Sequence, residues 1–278
     1  MRDSDKMEDT PNLLVGKFSQ NPRLGLLTDV GKKRKVDEDA ILAIESISGF
    51  ESKMSQKFLL ALADGMGGHE KGEIASKISV TTVAEKFCVS MLPSVDYALE
   101  LANSIHEANR RILQYANEHA EAEGMGTTTV CAIVDKNEVH LANVGDSRAY
   151  VISKEEIRRV TKDHSYVQDL IDRGEILESE ATAHPRKNVI TRAVGIYSEV
   201  NIDTMKLTLD KDEFLLLCCD GLIVHVDDET IKDIVVNAKD PQDACVKLVN
   251  AANDKGGTDN ISVILLAPSQ SLAEKENS

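Results

Sequence analysis

Lys57-Phe58-Leu59-Leu60-Ala61-Leu62-Ala63 runs straight into Asp64-Gly65-Met66-Gly67-Gly68-His69. A nearly unbroken apolar run of this length fits a strand buried on both faces, and here it ends on a carboxylate followed by glycines. The same association recurs elsewhere in the chain. Arg34 to Asp39 (RKVDED) precedes Ala40-Ile41-Leu42-Ala43-Ile44, Phe214 to Cys219 (FLLLCC) precedes Asp220-Gly221, and Asp259-Asn260 precedes Ile261 to Ala267 (ISVILLA). Carboxylates at the ends of buried strands cannot all ionise close together without a counter-charge, because repulsion and desolvation raise their pKa values. Hard divalent cations such as Mg²⁺ or Mn²⁺ supply that charge and prefer oxygen ligands. One such cluster alone reads as a solvated turn. Four at strand ends, two with adjoining glycines, point to a metal site.

At 278 residues the chain suits one large domain, and no linker divides it. A hydrophobic fraction of 42% and a charged fraction of 28% are ordinary for a globular protein. The net charge of −15 argues against a nucleic-acid partner, since phosphate backbones need clustered Lys and Arg. It leaves phosphate chemistry open, because bound divalent cations reverse the local field. The longest apolar runs are strand-sized, far short of the ~20 residues that span a bilayer. Met1 to Asn12 (MRDSDKMEDTPN) has no apolar stretch of the secretory kind. The five cysteines form no CxxC pair and no Cys/His metal spacing, and alternation sends Cys218 and Cys219 to opposite faces of their strand. Reduced, mostly buried thiols in a cytoplasmic protein are expected. Residues 1–20 and 269–278 read as flexible tails around a domain at 21–268.

Strands are expected at Leu24–Val30, Ala40–Glu45, Lys57–Ala63, Thr127–Asp135, Glu138–Val144, Arg148–Ser153, Asp203–Leu209, Glu213–Cys219 and Ile261–Ala267. Lys136-Asn137 signals a tight hairpin and Gly145-Asp146 the next. Helical periodicity covers Glu73–Leu92, with a stripe of Ile74, Ile78, Thr82, Phe87 and Met91. It covers Ser94–Glu121 through Ala98, Leu101, Ile105, Ala108, Ile112 and Tyr115, with Ser94 as the N-cap and Asp96 favouring the positive end. A second pair spans Asp228–Lys239 and Pro241–Asp254; Asp240 caps the latter, Pro241 opens it and Gly256 stops it. Val167, Leu170 and Ile171 mark a short helix ending near Gly174. A strand-rich core flanked by helix pairs follows, of α+β class.

The motifs are long enough to place in a family. RKVDED and DGMGGH are followed in order by Gly126-Thr127-Thr128, Gly145-Asp146-Ser147-Arg148, Asp163-His164-Ser165 and Ile190-Thr191-Arg192-Ala193-Val194-Gly195. Cys219-Asp220-Gly221-Leu222 and Gly257-Thr258-Asp259-Asn260 complete the set. The chain resembles the metal-dependent serine/threonine protein phosphatases of the PPM, or protein phosphatase 2C, family from about Leu24 to Ala267. The DGMGGH spelling and compact length sit closest to its bacterial and archaeal branch.

The resemblance implies a four-layer αββα sandwich, two stacked antiparallel sheets with a helix pair on each outer face. It implies two Mg²⁺ or Mn²⁺ ions. Asp39 and Asp64 would hold one, with Asp64 bridging to the second; Asp220 and Asp259 would hold the other, and the Gly65 carbonyl would complete a shell. Glu38 would act from an outer shell, and Arg34 would clamp the phosphate, a task that suits a guanidinium fork. A hydroxide shared by the metals would attack the phosphorus of phosphoserine or phosphothreonine. Residues 164–200 would form a flap, where Arg186, Lys187 and Arg192 offer charge to an anionic substrate. In isolation Arg34 also reads as part of the basic surface run of Lys32, Lys33 and Lys35.

Several positions depart from the family pattern. Met66 stands where some members have a histidine, which leaves His69 or a metal-bound water to protonate the leaving oxygen. Val224 stands where many relatives carry an aspartate that holds a third, weaker metal with Asp146. Asp37 replaces a common Asn and Cys219 a common Ser. The expected substrates are phosphoproteins, targets of Ser/Thr kinases, met by a monomer without nucleic acid or membrane. Two rivals stay open: a regulatory pseudophosphatase on the same fold, and another two-metal phosphoesterase. The four aspartates with Arg34 count against the first, and the charge of −15 with no Trp counts against the second.

Overall fold

The structure is a computed structural model that describes residues 23–50, 53–67, 71–89, 96–181 and 183–268. The tails expected at 1–20 and 269–278, and also His69, Met91 and Ser94, lie outside the described residues.

Strands β2 (Asp39–Phe50) and β3 (Lys53–Met66) begin one antiparallel sheet, which continues through β5 (Thr129–Asp135), β6 (Glu138–Val144) and β9 (Asp203–Thr208). The two-residue β4 (Gly126–Thr127) adds to the end of β3. The second sheet has the order β1 (Leu24–Asp29), β11 (Ile261–Leu266), β10 (Phe214–Cys218), β7 (Arg148–Ile152) and β8 (Ile157–Arg159), again antiparallel throughout.

Three apolar cores separate four layers. On β3, Leu59, Ala61 and Ala63 face α1 (Gly72–Val89) and α2 (Tyr97–Glu118), while Phe58, Leu60 and Leu62 face the other sheet. On β10, Leu215, Leu217 and the adjoining Cys219 enter the inter-sheet core. Leu216 and Cys218 pack towards α6 (Asp228–Val236) and α7 (Pro241–Asp254). Strands covered on both sides have no solvated face, which is why KFLLALA and FLLLCC show no polar alternation. The αββα sandwich is the observed architecture.

Local signals govern the element ends. Asp96 is the N-cap of α2, accepting from the amides of Ala98 and Leu99, the role assigned from sequence to Ser94. Asp240 caps α7 through the amide of Asp243 with Pro241 in its first turn, as expected. Lys136 turns the β5–β6 hairpin at φ +61. The stripe of α2 holds, with Leu101, Ile105, Ala108 and Ile112 buried. On α1, Thr82 and Phe87 of the expected stripe are buried and Ile74 and Ile78 pack half-buried on the same core, while Ala75, Ser76, Ser79 and Val83 lie as deep or deeper. Small residues let α1 sit close against both β3 and α2, and a stripe drawn through the largest side chains misses them.

Gly145-Asp146 does not make a hairpin. β6 belongs to the first sheet and β7 to the second, so this turn carries the chain across the sandwich. Gly145 takes φ +110 with its α-carbon packed on Thr128, a place closed to a side chain. A turn signal marks where strands end and is silent on whether they pair.

Candidate metal centre

Asp39 opens β2, Asp64 lies two residues before the end of β3, and the two are direct cross-strand partners. Period-two alternation from Ile41 and Leu62 turns both side chains into the gap between the sheets. The amide of Gly65 donates to the Glu38 carbonyl at 3.1 Å, and Thr128 brackets Asp64, its amide donating to the Asp64 carbonyl at 2.8 Å while its Oγ1 accepts from the Asp64 amide at 3.0 Å. A Cβ on Gly65 would overlap the carbonyl oxygens of Gly72 and Glu38. This close approach of backbone is a nearer reason for the glycine than access to a cation.

The second sheet supplies the other carboxylates. Asp220 begins the short helix α5 (Asp220–Ile223) beyond β10, and Asp259 sits just before β11. Asn260 joins these parts. Its Nδ2 donates to the carbonyls of Val30 and Val36, each at 3.0 Å, and its Oδ1 accepts from the Glu38 amide at 2.9 Å. One buried amide side chain thereby fixes the loop that carries Arg34 and Glu38. Arg34 Nη2 donates to Asp259 Oδ2 at 2.8 Å, with Glu38 Oε2 at 3.6 Å from Nη1.

The electrostatics are those of a site short of positive charge. Burial, with repulsion from Asp37 and Asp220, lifts Asp39 to about 7. Burial and the surrounding aspartates push Asp64 well above the carboxylate range. Asp220 rises to about 6, from burial and then Asp259. Asp146 rises to about 7, from burial and then Asp220 and Asp163. Burial likewise raises Glu38. Both carboxylate oxygens of Asp39 and Oδ1 of Asp146 are closed off from solvent and have no hydrogen-bond partner among the described residues. An orphaned buried carboxylate costs stability unless a cation faces it.

The donor set fits a hard divalent cation. Cys219 Sγ lies within 4.8 Å of carboxylate oxygens of Asp39 and Asp64. It is already engaged, donating to the Asn260 carbonyl at 3.3 Å and accepting from the Ser262 amide at 3.1 Å. Burial keeps it a thiol, so oxygen ligands remain.

Two cavities meet at Asp220 and Asn188. The larger, about 520 Å³, is lined by Arg34, Glu38, Asp64, Gly65, Met66 and Asp259, together with residues of the segment 188–197. The smaller, about 170 Å³, holds Asp146, Arg148, Asp163, Lys187 and Val224. The basic group expected on the flap is therefore divided. Arg192 lines the large cavity and Lys187 the small one, while Arg186 stacks over the Tyr166 ring at 5.3 Å.

The family model for protein phosphatase 2C matches residues 27–170 and 178–261. The chain belongs to the protein phosphatase 2C family. Among curated proteins, the serine/threonine phosphatase stp of Listeria welshimeri is 37% identical over 241 residues, 86% of this chain and 93% of the relative. The serine/threonine phosphatase of S. agalactiae superposes with a TM-score of 0.81 at 32% identity, covering 88% of this chain and 99% of that one. The catalytic domain of the phosphatase PstP in complex with two manganese ions has a TM-score of 0.76 at 31% identity, covering 89% and 98%. The chain is a metal-dependent serine/threonine protein phosphatase of the bacterial kind.

For a phosphatase 2C chain, the fold brings Arg34, Glu38, Asp39, Asp64, Gly65, Asp220 and Asp259 to one end of the sandwich. Asp146 stands in the adjoining cavity with Asp220. Sequence reasoning missed Asn260 as the brace of the Arg34 loop, although it lies inside a quoted motif. A buried amide beside a carboxylate cluster was the available signal. The Thr128 to Ser147 hydroxyl bond, 2.7 Å between the junction of β4 and β5 and the end of the crossing turn, had none.

Proposed function

We propose that the aspartate cluster holds two Mg²⁺ or Mn²⁺ ions and that Arg34 presents the phosphate of a phosphoserine or phosphothreonine to them. In this reading Asp39 and Asp64 would hold one ion, and Asp220 and Asp259, with Asp64, would hold the second. The Gly65 carbonyl completes a shell, and Glu38 acts through water. When bound, the ions neutralise the carboxylates and supply a water acid enough to attack phosphorus at neutral pH.

The chain's own residues do the rest. Arg34 spends its guanidinium on Asp259 and Glu38, partners that the ions would relieve, freeing its fork for phosphate oxygens. Asn260 keeps that arginine over the aspartates. Met66 lines the pocket and carries no proton to give, so the leaving oxygen takes its proton from water. The observation that carries this reading is the Asp39 carboxylate, buried without a partner and paired in register with Asp64.

A third ion in the small cavity would meet Asp146 and Asp220, since Asp163 is taken up by Arg148 and Val224 offers no donor, and would bind weakly. The substrates are phosphoproteins; we assign them to serine/threonine kinases of the cytoplasm, a compartment that suits free thiols at Cys88, Cys131, Cys218, Cys219 and Cys245. No helix among the described residues is long and apolar enough to cross a membrane. The working unit is a monomer, because one chain supplies every residue of the site. Asp64→Asn and Asp220→Asn should each lower kcat on phosphothreonine peptides by at least about a hundredfold, and excess chelator should do the same. Full turnover under any of these conditions would overturn the assignment.

A further inference from the structure

We propose that Arg192 selects among phosphoprotein substrates by pairing with a carboxylate close to the phosphorylated residue, and that Asp203 and His164 position it for this. The inference rests on the large cavity being the phosphatase centre. Among the described residues, the cations lining that cavity are Arg34 and Arg192. Arg34 is bound to Asp259 and Glu38, within the aspartate cluster. The partners of Arg192 include none of those carboxylates: Nη1 donates to Asp203 Oδ1 at 2.8 Å, at the start of β9.

Asp203 is itself held from a second side. His164 is 4% exposed, and its Nδ1 accepts from the Gly145 amide at 3.0 Å. A neutral imidazole that accepts at Nδ1 carries its proton on Nε2. Nε2 lies 3.2 Å from Asp203 Oδ2, within ion-pair distance of that oxygen. The equal separation of Nε2 from Arg192 Nη1 joins two donors and is no hydrogen bond. Asp203 therefore has Arg192 at one oxygen and His164 close to the other, and the chain of contacts runs from the pocket arginine to Gly145 in the sheet-crossing turn. It uses one nitrogen of the guanidinium. Nε and Nη2 of Arg192 have no hydrogen-bond partner among the described residues, and the side chain is 41% exposed.

An arginine that only pinned the flap would need no place in the cavity and no free donors. A fork fixed at one prong and open at the others matches a planar carboxylate. The neighbouring lining is apolar at Ile190, Ile196 and Tyr197, the last 69% exposed, which suits a peptide lying along this segment. Since the reacting phosphate belongs with Arg34 and the aspartates, the anion left for Arg192 is one on the peptide, a glutamate or aspartate side chain.

The test uses the full chain with Mn²⁺ and phosphothreonine peptides that differ only by Glu or Gln at each of the two positions on either side of the phosphoresidue. p-Nitrophenyl phosphate serves as a substrate without a peptide. For at least one position the wild type should show a kcat/KM about fivefold higher for Glu than for Gln, carried by KM, the size of an exposed charge pair. Arg192→Gln should bring that ratio to about one, Arg192→Lys should keep part of it, and Arg192→Glu should reverse it in favour of a Lys-bearing peptide. Asp203→Asn should reduce the ratio in the same direction. A merely structural role lowers both members of a pair equally, so an unchanged ratio in Arg192→Gln, or no Glu preference in the wild type, overturns the proposal. A wild type inactive even on p-nitrophenyl phosphate would instead overturn the phosphatase centre, and this inference with it.

Discussion

Replacing Asp39 by asparagine should abolish metal-dependent activity and yet stabilise the metal-free protein. In the folded chain burial, with repulsion from Asp37 and Asp220, pushes the Asp39 carboxyl up to about 7, against an ordinary 3.8, even though Ser262 and Cys219 pull it down. A carboxyl raised in the folded state binds its proton more tightly there than in the unfolded chain. Its contribution to stability is therefore fully present below about 3.8 and is lost as pH rises through about 7. The gap corresponds to at most about 4 kcal/mol, and an effect of about 2–4 kcal/mol is expected. The asparagine of Asp39→Asn carries no charge at any pH. The variant should accordingly match the wild type near pH 4 and gain about 2–4 kcal/mol on it by pH 8. Chemical denaturation in excess chelator, followed from pH 4 to pH 8, measures the difference directly. Saturating Mn²⁺ should close most of the gap, since one ion at a hundred times Kd stabilises the wild type by about 2.7 kcal/mol and leaves the variant little changed. A variant less stable than metal-free wild type at pH 8, or a difference that does not grow with pH, would refute the account of Asp39 as an uncompensated charge.

Two further outcomes follow from the same geometry. Arg34→Ala should raise KM more than it lowers kcat, and Arg34→Lys should rescue poorly because an ammonium cannot make the forked contact; unchanged steady-state constants would return Arg34 to the basic surface run of Lys32, Lys33 and Lys35. Val224→Asp should tighten binding of a third ion by calorimetry and lower the Mn²⁺ concentration for half-maximal activity, an effect that Asp146→Ala should remove. With Val224 51% exposed at the rim of the small cavity, the substitution should cost little stability, so a folded variant with unchanged metal dependence would exclude this position from metal binding.

The strand runs and the acidic clusters at their ends were legible in the sequence because both are local. A strand covered on two faces must be apolar at every position, and a carboxylate at its end stands out against that run. The same locality made the cap at Asp240 and the turn at Lys136 readable, whereas the α2 cap expected at Ser94 falls on Asp96. The covered strands pointed to a strand-rich core flanked by helices, and the stacking of two sheets came only from the family resemblance. Which strands share a sheet was not written locally. Gly145-Asp146 looks like a hairpin turn whether it returns to its neighbour or crosses the sandwich, and only the crossing brings Asp146 to the cavity of Asp220.

What the tertiary structure alone decided lies in contacts between residues far apart along the chain. Arg34 meets Asp259 across 225 positions, and Asn260 reaches Val30 across 230. Arg186, Lys187 and Arg192, a single basic group in sequence, are distributed to an aromatic ring and two separate cavities. Composition and spacing identify side chains able to hold a cation or an anion. Which of them share low-dielectric space, and so raise one another's pKa or neutralise one another, depends on distance and burial, and those exist only once the two sheets have closed on each other.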